Sequence, residues 1–372
     1  MAFTLDRVPS IVQASGLLSR LGDFAAPLAA GQPVLLVADP GLASLGITAA
    51  ARAALLQAGL ATVLFEALTS DPTLAQIDAA AQAARDHNVA LVVALGGGSA
   101  LDVGKAAAAI APAADPAARY RLCAAPLPAR ALAKICIPTT AGTGSEATRT
   151  VVASDATGAK TWLWGDTLKA DVILLDPDLT LSLPLGLTGA TAIDALVHAM
   201  EACTNRNANA GNDVFCHAAI RLVVRHLPQV MQHPRDLTAR AGLQYAACLA
   251  GIGIDNTGTA LAHNIGHAIG TLAHLHHGRA VALAMQATLG WVSAEDPDGR
   301  FAELAALLGG DLMAGFTNLV QLAGITPGIP GLTAAALAAE MAAPDNAPMR
   351  NATRRVVADA DLLPLAEMVL RA

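Results

Sequence analysis

The stretch Leu91-Val-Val-Ala-Leu-Gly96-Gly97-Gly98-Ser99-Ala-Leu-Asp102-Val-Gly104-Lys105 decides the fold class. The apolar run from Ala90 to Leu95 reads as a strand buried on both faces, as in a parallel sheet. Three glycines end it, and a helical pattern from about Ser99 to Ile110 follows. Glycine lets backbone come close to a ligand, Ser99 can cap the helix, and free amides at a helix start favour a phosphate. The same turn would also serve as a plain strand-to-helix connection. It is neither the spaced G-x-G-x-x-G fingerprint nor the G-x-x-x-x-G-K-[ST] loop.

Outward from this stretch, the first half alternates apolar runs with Ala-rich helical patterns. Strands at Pro33–Ala38, Ala61–Leu68, Lys134–Ile137 and Val172–Leu175 go with helices at Leu42–Ala58 and Thr73–Asn88. Val151–Leu163 reads as a hairpin turning at Asp155-Ala-Thr-Gly158. The alternation predicts a parallel sheet covered on both faces. A second loop, Pro138-Thr139-Thr140-Ala-Gly142-Thr143-Gly144-Ser145-Glu146, has hydroxyls suited to pyrophosphate and ribose, or to capping a helix. Two loops after successive parallel strands share one sheet edge, where open α/β sheets bind ligands. Asp39 ends the first strand, where a carboxylate can accept both ribose hydroxyls and repel a 2′-phosphate. Asp39-Pro-Gly41 is equally a turn sequence.

Beyond Pro184 the strand-like runs stop and long helical patterns continue to the C-terminus. The predicted architecture is an α/β N-terminal domain with a mostly parallel, Rossmann-like sheet over residues 1–183, then an all-α helical-bundle domain over 184–372. Helix breaks are expected at Pro228, Pro234, Pro297 and residues 326–331. With 54% hydrophobic but only 3% aromatic residues, the core must be aliphatic, with small side chains letting helices approach. A net charge of -7 without Lys/Arg runs excludes a general nucleic-acid binder. No charge-free apolar run reaches the roughly 18 residues of a membrane span. The first 21 residues lack a signal-peptide core, and five cysteines show no C-x-x-C spacing. These features predict a soluble, cytoplasmic protein.

Nine of the ten histidines follow residue 190, five of them from His263 to His277. Asp194 and His198 are four apart, as are His263 and His267, so each pair shares a helix face. His277 comes after a Gly270-containing break and before Gly278. A carboxylate with several imidazoles suits a divalent iron or zinc ion with open positions. A helix salt bridge, or histidines on a solvated face, would fit the same spacings. The apolar neighbours Ile193, Leu196, Val197, Leu261 and Ile265 favour a metal, because ionisable groups in such segments need a partner. The spacing is not H-E-x-x-H. His217, His226 and His233 read as solvated helix-surface residues.

Taken together, Gly96-Gly-Gly-Ser99 with Asp102 and Lys105, Pro138 to Glu146, Asp176-Pro, Ala192 to Glu201, and His263-x3-His267-x9-His277-Gly278 resemble the iron-containing, group III alcohol dehydrogenase family. The motifs run in family order from about residue 33 to 290. The resemblance implies a dehydroquinate-synthase-like fold, with NAD(H) on the N-terminal sheet and Fe2+, alternatively Zn2+, facing it from the helical domain. It implies Asp194, His198, His263 and His277 as metal ligands and His267 as a catalytic histidine near the nicotinamide. Cofactor contacts implied are Gly97, Gly98, Ser99, Asp102, Thr139, Thr140, Thr143 and Lys160, with Asp39 favouring NAD over NADP. Departures are Asp71-Pro72, where many relatives have Asn-Pro, and the histidine-rich Ala273-His-Leu-His-His277.

The implied reaction interconverts a small or medium primary alcohol and its aldehyde. The metal polarises the oxygen, and hydride passes to or from nicotinamide C4. The resemblance also implies a homodimer. A lyase on the same architecture would need basic residues around a phosphorylated substrate, whereas the surroundings of His198 and His263 are mostly apolar. A nucleotide-binding protein without catalysis is the third reading.

Overall fold

The computed structural model describes residues 3–371, which form two compact units. One is Arg7–Thr140 with Gly144–Ser182. The other takes the chain from Leu183 onward, together with Ala141–Thr143 and the segment ahead of Arg7. The short stretch 141–143 thus groups with the helices, although it continues directly from the sheet.

The first unit is built on six parallel strands: β1 (Ser10–Gln13), β2 (Val34–Ala38), β3 (Thr62–Phe65), β4 (Leu91–Gly96), β5 (Ala133–Pro138) and β8 (Val172–Leu175). Their order is β1-β8-β5-β4-β2-β3, and every neighbouring pair is parallel. Helices α1 (Leu21–Ala29) and α2 (Ile47–Gln57) cover one face, and α3 (Leu74–Asp86) and α4 (Gly98–Ile110) the other. Side chains alternate along each strand. Leu35, Val37 and Val92 pack with α3 and α4, while Val34, Leu36, Leu91 and Val93 pack with α1 and α2. Burial on both faces is why these strands read as unbroken apolar runs. Thr73 and Gln76 form a capping box at the start of α3. The predicted hairpin is present as β6 (Thr150–Ser154) and β7 (Lys160–Trp164), its turn held by Asp155.

Two elements of this unit escaped the sequence reading. Strand β1 is a four-residue edge strand with half-exposed side chains, so it carries no apolar run. Helix α1 contains Pro27, which interrupts its pattern.

The second unit is helical. Helix α5 (Leu185–Thr204) is its centre: every residue from Thr188 to Thr204 is buried, and it packs on α6 (Ala210–Gln232), α7 (Leu237–Thr257) and α9 (His277–Ser293). Helix α8 (Leu261–Ala273) pairs with α9. Pro228 does not break the chain as predicted; it lies inside α6, whose buried face of Ile220, Val223, Leu227 and Val230 carries the helix through the lost hydrogen bond. His226 is not solvated either. It is buried against α7, with Nδ1 3.0 Å from Gln229 Oε1. No helix among the described residues is long and apolar enough to cross a membrane.

Gly104 on α4 faces Ala94 on β4, and a Cβ there would lie 2.5 Å from the Ala94 Cβ. Substitution Gly104→Ala should therefore destabilise by about 1–3 kcal/mol through overpacking, although alanine is the better helix former. A urea midpoint equal to or above the parent value would contradict this packing account.

Candidate metal centre and cofactor loops

Three helices of the second unit bring four donors together. Helix α5 carries Asp194 and His198 one turn apart on one face, where they meet His263 and His277. Helix α8 carries His263 at its third residue. It runs through Gly270, where the sequence suggested a break, and stops at His274, which holds a left-handed φ of 51°. The chain then turns, and α9 opens with His277. Gly278 makes this approach possible, because a Cβ there would meet the Ala190 carbonyl oxygen at 2.3 Å. Any larger residue would push His277 away from α5.

One donor atom from each of Asp194, His198, His263 and His277 lies within 4.8 Å of all the others. Asp194 Oδ1 is 3.6 Å from Nε2 of His263 and 3.6 Å from Nε2 of His277. That is long for a hydrogen bond, but close to the edge of a tetrahedron whose corners lie ~2.1 Å from a cation, roughly 3.4 Å. The His198 and His263 rings stack with centroids 4.3 Å apart. Asp194 Oδ1 and His263 Nε2 are buried with no hydrogen-bond partner, which in a packed interior calls for a missing partner. The donor set therefore fits a divalent cation. Three members are buried, whereas the His277 side chain is 40% exposed, so access lies on its side.

Asp194 and His198 are held in the form a cation needs. Burial alone would raise the Asp194 carboxyl, but His198, His277 and His263 outweigh it and hold the group well below the usual carboxylate range. Burial pushes the His198 imidazole down to about 3, leaving a neutral ring with a free lone pair. His263 goes the other way, to about 9: burial disfavours its cation, but Glu201 and Asp194 prevail. Glu201 Oε2 is 2.6 Å from His263 Nδ1. The His267 ring lies outside the ligand set, its centroid 5.2 Å from that of His277 and 6.3 Å from that of His263.

In the first unit, the predicted loops converge at the C-terminal ends of β2, β4 and β5. Register places Ala38 beside Leu95 and Gly96 beside Pro138. The Asp39 amide donates to Leu95, and the Thr139 amide to Gly96. Asp39 Oδ1 accepts from Gly41 N at 2.8 Å, so the turn reading of Asp39-Pro-Gly41 is realised and its second oxygen has no part in that bond. Gly97 caps α4 and faces Thr140; the Ser99 hydroxyl donates to the Ser70 carbonyl. Next to Ser70, Asp71 pairs with Lys160 at 2.6 Å. Thr143 belongs to the segment grouped with the helices. Asp102 is turned inward. Its oxygens accept from Ser145 Oγ and, at 2.9 Å, from Val152 N. Lys105 is wholly buried, its ammonium donating to Ser145 O at 2.6 Å, Thr150 O at 2.8 Å and both oxygens of Thr148.

Residues 9–177 match the iron-containing alcohol dehydrogenase family, and residues 188–323 match the Fe-containing alcohol dehydrogenase family, C-terminal. The chain belongs to that family. It is 36% identical over 280 residues to long-chain-alcohol dehydrogenase 1 of Geobacillus thermodenitrificans, covering 75% of this chain and 70% of that one. It is 31% identical to the sulfoacetaldehyde reductase of Bilophila wadsworthia, over 87% and 83% of the two chains. The crystal structure of a 1,3-propanediol oxidoreductase superposes with a TM-score of 0.92 at 26% identity, over 99% of this chain and 100% of that one. A sulfoacetaldehyde reductase from Bifidobacterium kashiwanohense in complex with NAD+ gives 0.90 at 25%, over 100% and 99%. The fold is thus the dehydroquinate-synthase-like one, and this iron-containing alcohol dehydrogenase is an NAD-linked oxidoreductase of alcohols and aldehydes.

Two buried acids of the enzyme were quoted within motifs without a role. Glu201 is one, three residues beyond His198 on the same helix face. Glu146 is the other. Burial pushes its carboxyl from the ordinary 4.5 up to about 7, against its own backbone amide and Lys105. A carboxyl raised in the fold contributes stability below its ordinary value and loses it as pH rises through the folded value. Glu146→Gln should accordingly leave the melting temperature nearly unchanged at pH 4.5 and raise it relative to the parent at pH 8. A difference that is flat or falls with pH would contradict this.

Proposed function

We propose that this dehydrogenase interconverts small or medium primary alcohols and aldehydes with NAD(H), using iron held by Asp194, His198, His263 and His277. The observation that carries the assignment is the meeting of these four donors, with Asp194 Oδ1 and His263 Nε2 buried and otherwise unpartnered. When bound, the cation supplies a Lewis acid for the alcohol or carbonyl oxygen. Asp194 would add the one negative charge of the set, and the half-exposed His277 marks the side from which substrate would reach the ion. His267, within ring-contact distance of His277 but outside the ligand set, is suited to holding the departing proton at an imidazole nitrogen. Zn2+ would suit the same donors.

In the other unit, the amides after β4 and the start of α4, with Gly97, Gly98 and Ser99, bind the pyrophosphate. Thr139, Thr140, Thr143 and Lys160 complete the cofactor contacts. Asp102 and Lys105 act from beneath, tying the loops together. Asp39 receives the adenosine ribose on the oxygen that Gly41 leaves open. The largely aliphatic helical unit favours an uncharged chain over a sugar phosphate as substrate. A cytoplasmic homodimer is the proposed setting, on the family resemblance.

Chelator-treated enzyme shown to be metal-free should lose NADH-linked aldehyde reduction, and Fe2+ or Zn2+ should restore it. Undiminished turnover of the stripped protein would remove the metal from the mechanism. Asp39→Gly should raise the NADPH-to-NADH ratio of kcat/KM roughly five- to tenfold, as expected for removing a like charge near a phosphate. An unchanged ratio would limit Asp39 to its turn.

A further inference from the structure

Glu201 sits on α5 seven residues after Asp194 and three after His198, and it is buried. Its carboxylate points at the start of α8, the helix that bears the third ligand. Oε1 accepts from Ala262 N at 2.6 Å, and Oε2 accepts from Ala260 N at 2.8 Å. Oε2 also meets His263 Nδ1 at 2.6 Å. Helix α8 has no side-chain cap from its own N-cap residue, Ala260, so Glu201 satisfies amides that would otherwise be orphaned at its first turn. The three contacts fix the position of the first turn of α8, and the third fixes the ring of His263.

The imidazole contact has a chemical consequence. A carboxylate can only accept, so the proton between Glu201 and His263 belongs to Nδ1, and in the neutral ring that a cation takes, it is Nε2 that carries the lone pair. Nε2 is the atom 3.6 Å from Asp194 Oδ1 and without another partner. We infer that Glu201 is a positioning residue for the metal: from the helix that supplies Asp194 and His198, it seats the first turn of α8 and presents His263 Nε2 to the ion. The inference rests on the cation reading above. A carboxylate behind a ligating imidazole orients the ring and strengthens it as a donor, and its loss typically weakens metal binding ~10–100-fold.

Glu201→Gln separates the two roles. The amide oxygen still accepts a backbone N–H, but its NH2 cannot accept from Nδ1, and the ring loses the partner that leaves Nε2 bare. The measurement is the Zn2+ dissociation constant by chelator competition for the parent and Glu201→Gln, with melting temperatures of both metal-free proteins and NADH binding by fluorescence as checks of folding. We expect Zn2+ affinity to fall by roughly 10–100-fold in variant protein that still binds NADH. A dissociation constant within twofold of the parent, even with a lowered metal-free melting temperature, would reduce Glu201 to a helix cap and overturn the inference. If the parent itself binds no Zn2+, the metal assignment fails and takes this inference with it. Should Glu201→Gln not fold, histidine 15N NMR of the Zn2+-loaded parent decides. A proton on His263 Nδ1, shifted far downfield, supports the inference, and a bare Nδ1 overturns it.

Discussion

Asp194 is a carboxylate in the middle of a helix whose residues are buried from Thr188 to Thr204, and the helical unit is arranged around that constraint. An unpaired charge in such a place costs several kcal/mol. The compensating groups come from three directions: His198 from the next turn, His263 from the first turn of α8, and His277 from the first residue of α9. His263 and His277 stand in the first turns of their helices, where backbone direction can change. Gly278 exists to let α9 begin against Ala190. The helices do not merely happen to surround a polar cluster; their starts and crossings are set by the need to bring imidazoles to one carboxylate.

The sheet unit follows a different logic. Its strands are fixed by burial on two faces, and its chemistry lies where they end. Parallel strands all finish at one edge, so successive connections at that edge become neighbours without any sequence signal for their meeting. Register then does the placing: Ala38 beside Leu95 and Gly96 beside Pro138 put Asp39, the triple glycine and Thr139 within one patch. The apolar runs and the glycine-rich ends are both visible in the chain, which explains why this half of the architecture and its loops could be read from it.

What could not be read has definite causes. β1 is short, at an edge and half exposed, so neither alternation nor a run marks it. Pro228 looked like a stop, but helix continuity depended on the face packed against α7, which is a tertiary matter. His226 seemed a surface residue because its neighbours include Arg225 and Gln229, yet the small residue opposite it on α7 admits the ring. The end of α8 fell at His274 instead of Gly270, because a histidine took up the left-handed conformation usually left to glycine. In each case the deciding information lies on a different element from the residue concerned. The four clustered donors were legible because two lie on one helix at i and i+4 and the others stand out in apolar surroundings. Glu201 shows that spacing too, at i+3 from His198, but its partner lies 62 residues further along the chain.

The same signal, a charged residue within an apolar segment, carried two meanings here, and the structure separates them by one criterion. Lys105 is as deeply buried as Asp194, and both lie in helices rich in alanine. Every direction around the Lys105 ammonium is taken by oxygens of Ser145, Thr148 and Thr150, and Asp102 shares the network through Ser145. That charge is answered wholly within the chain, so its work is to bind one loop to another. Around Asp194 and His263 the hydrogen-bond count does not close: an oxygen and a nitrogen face each other at 3.6 Å with neither bonded. Buried donor atoms of Asp194, His198 and His263 left without partners in one cluster point outside the polypeptide, and a carboxylate with three imidazoles is a donor set that suits a cation.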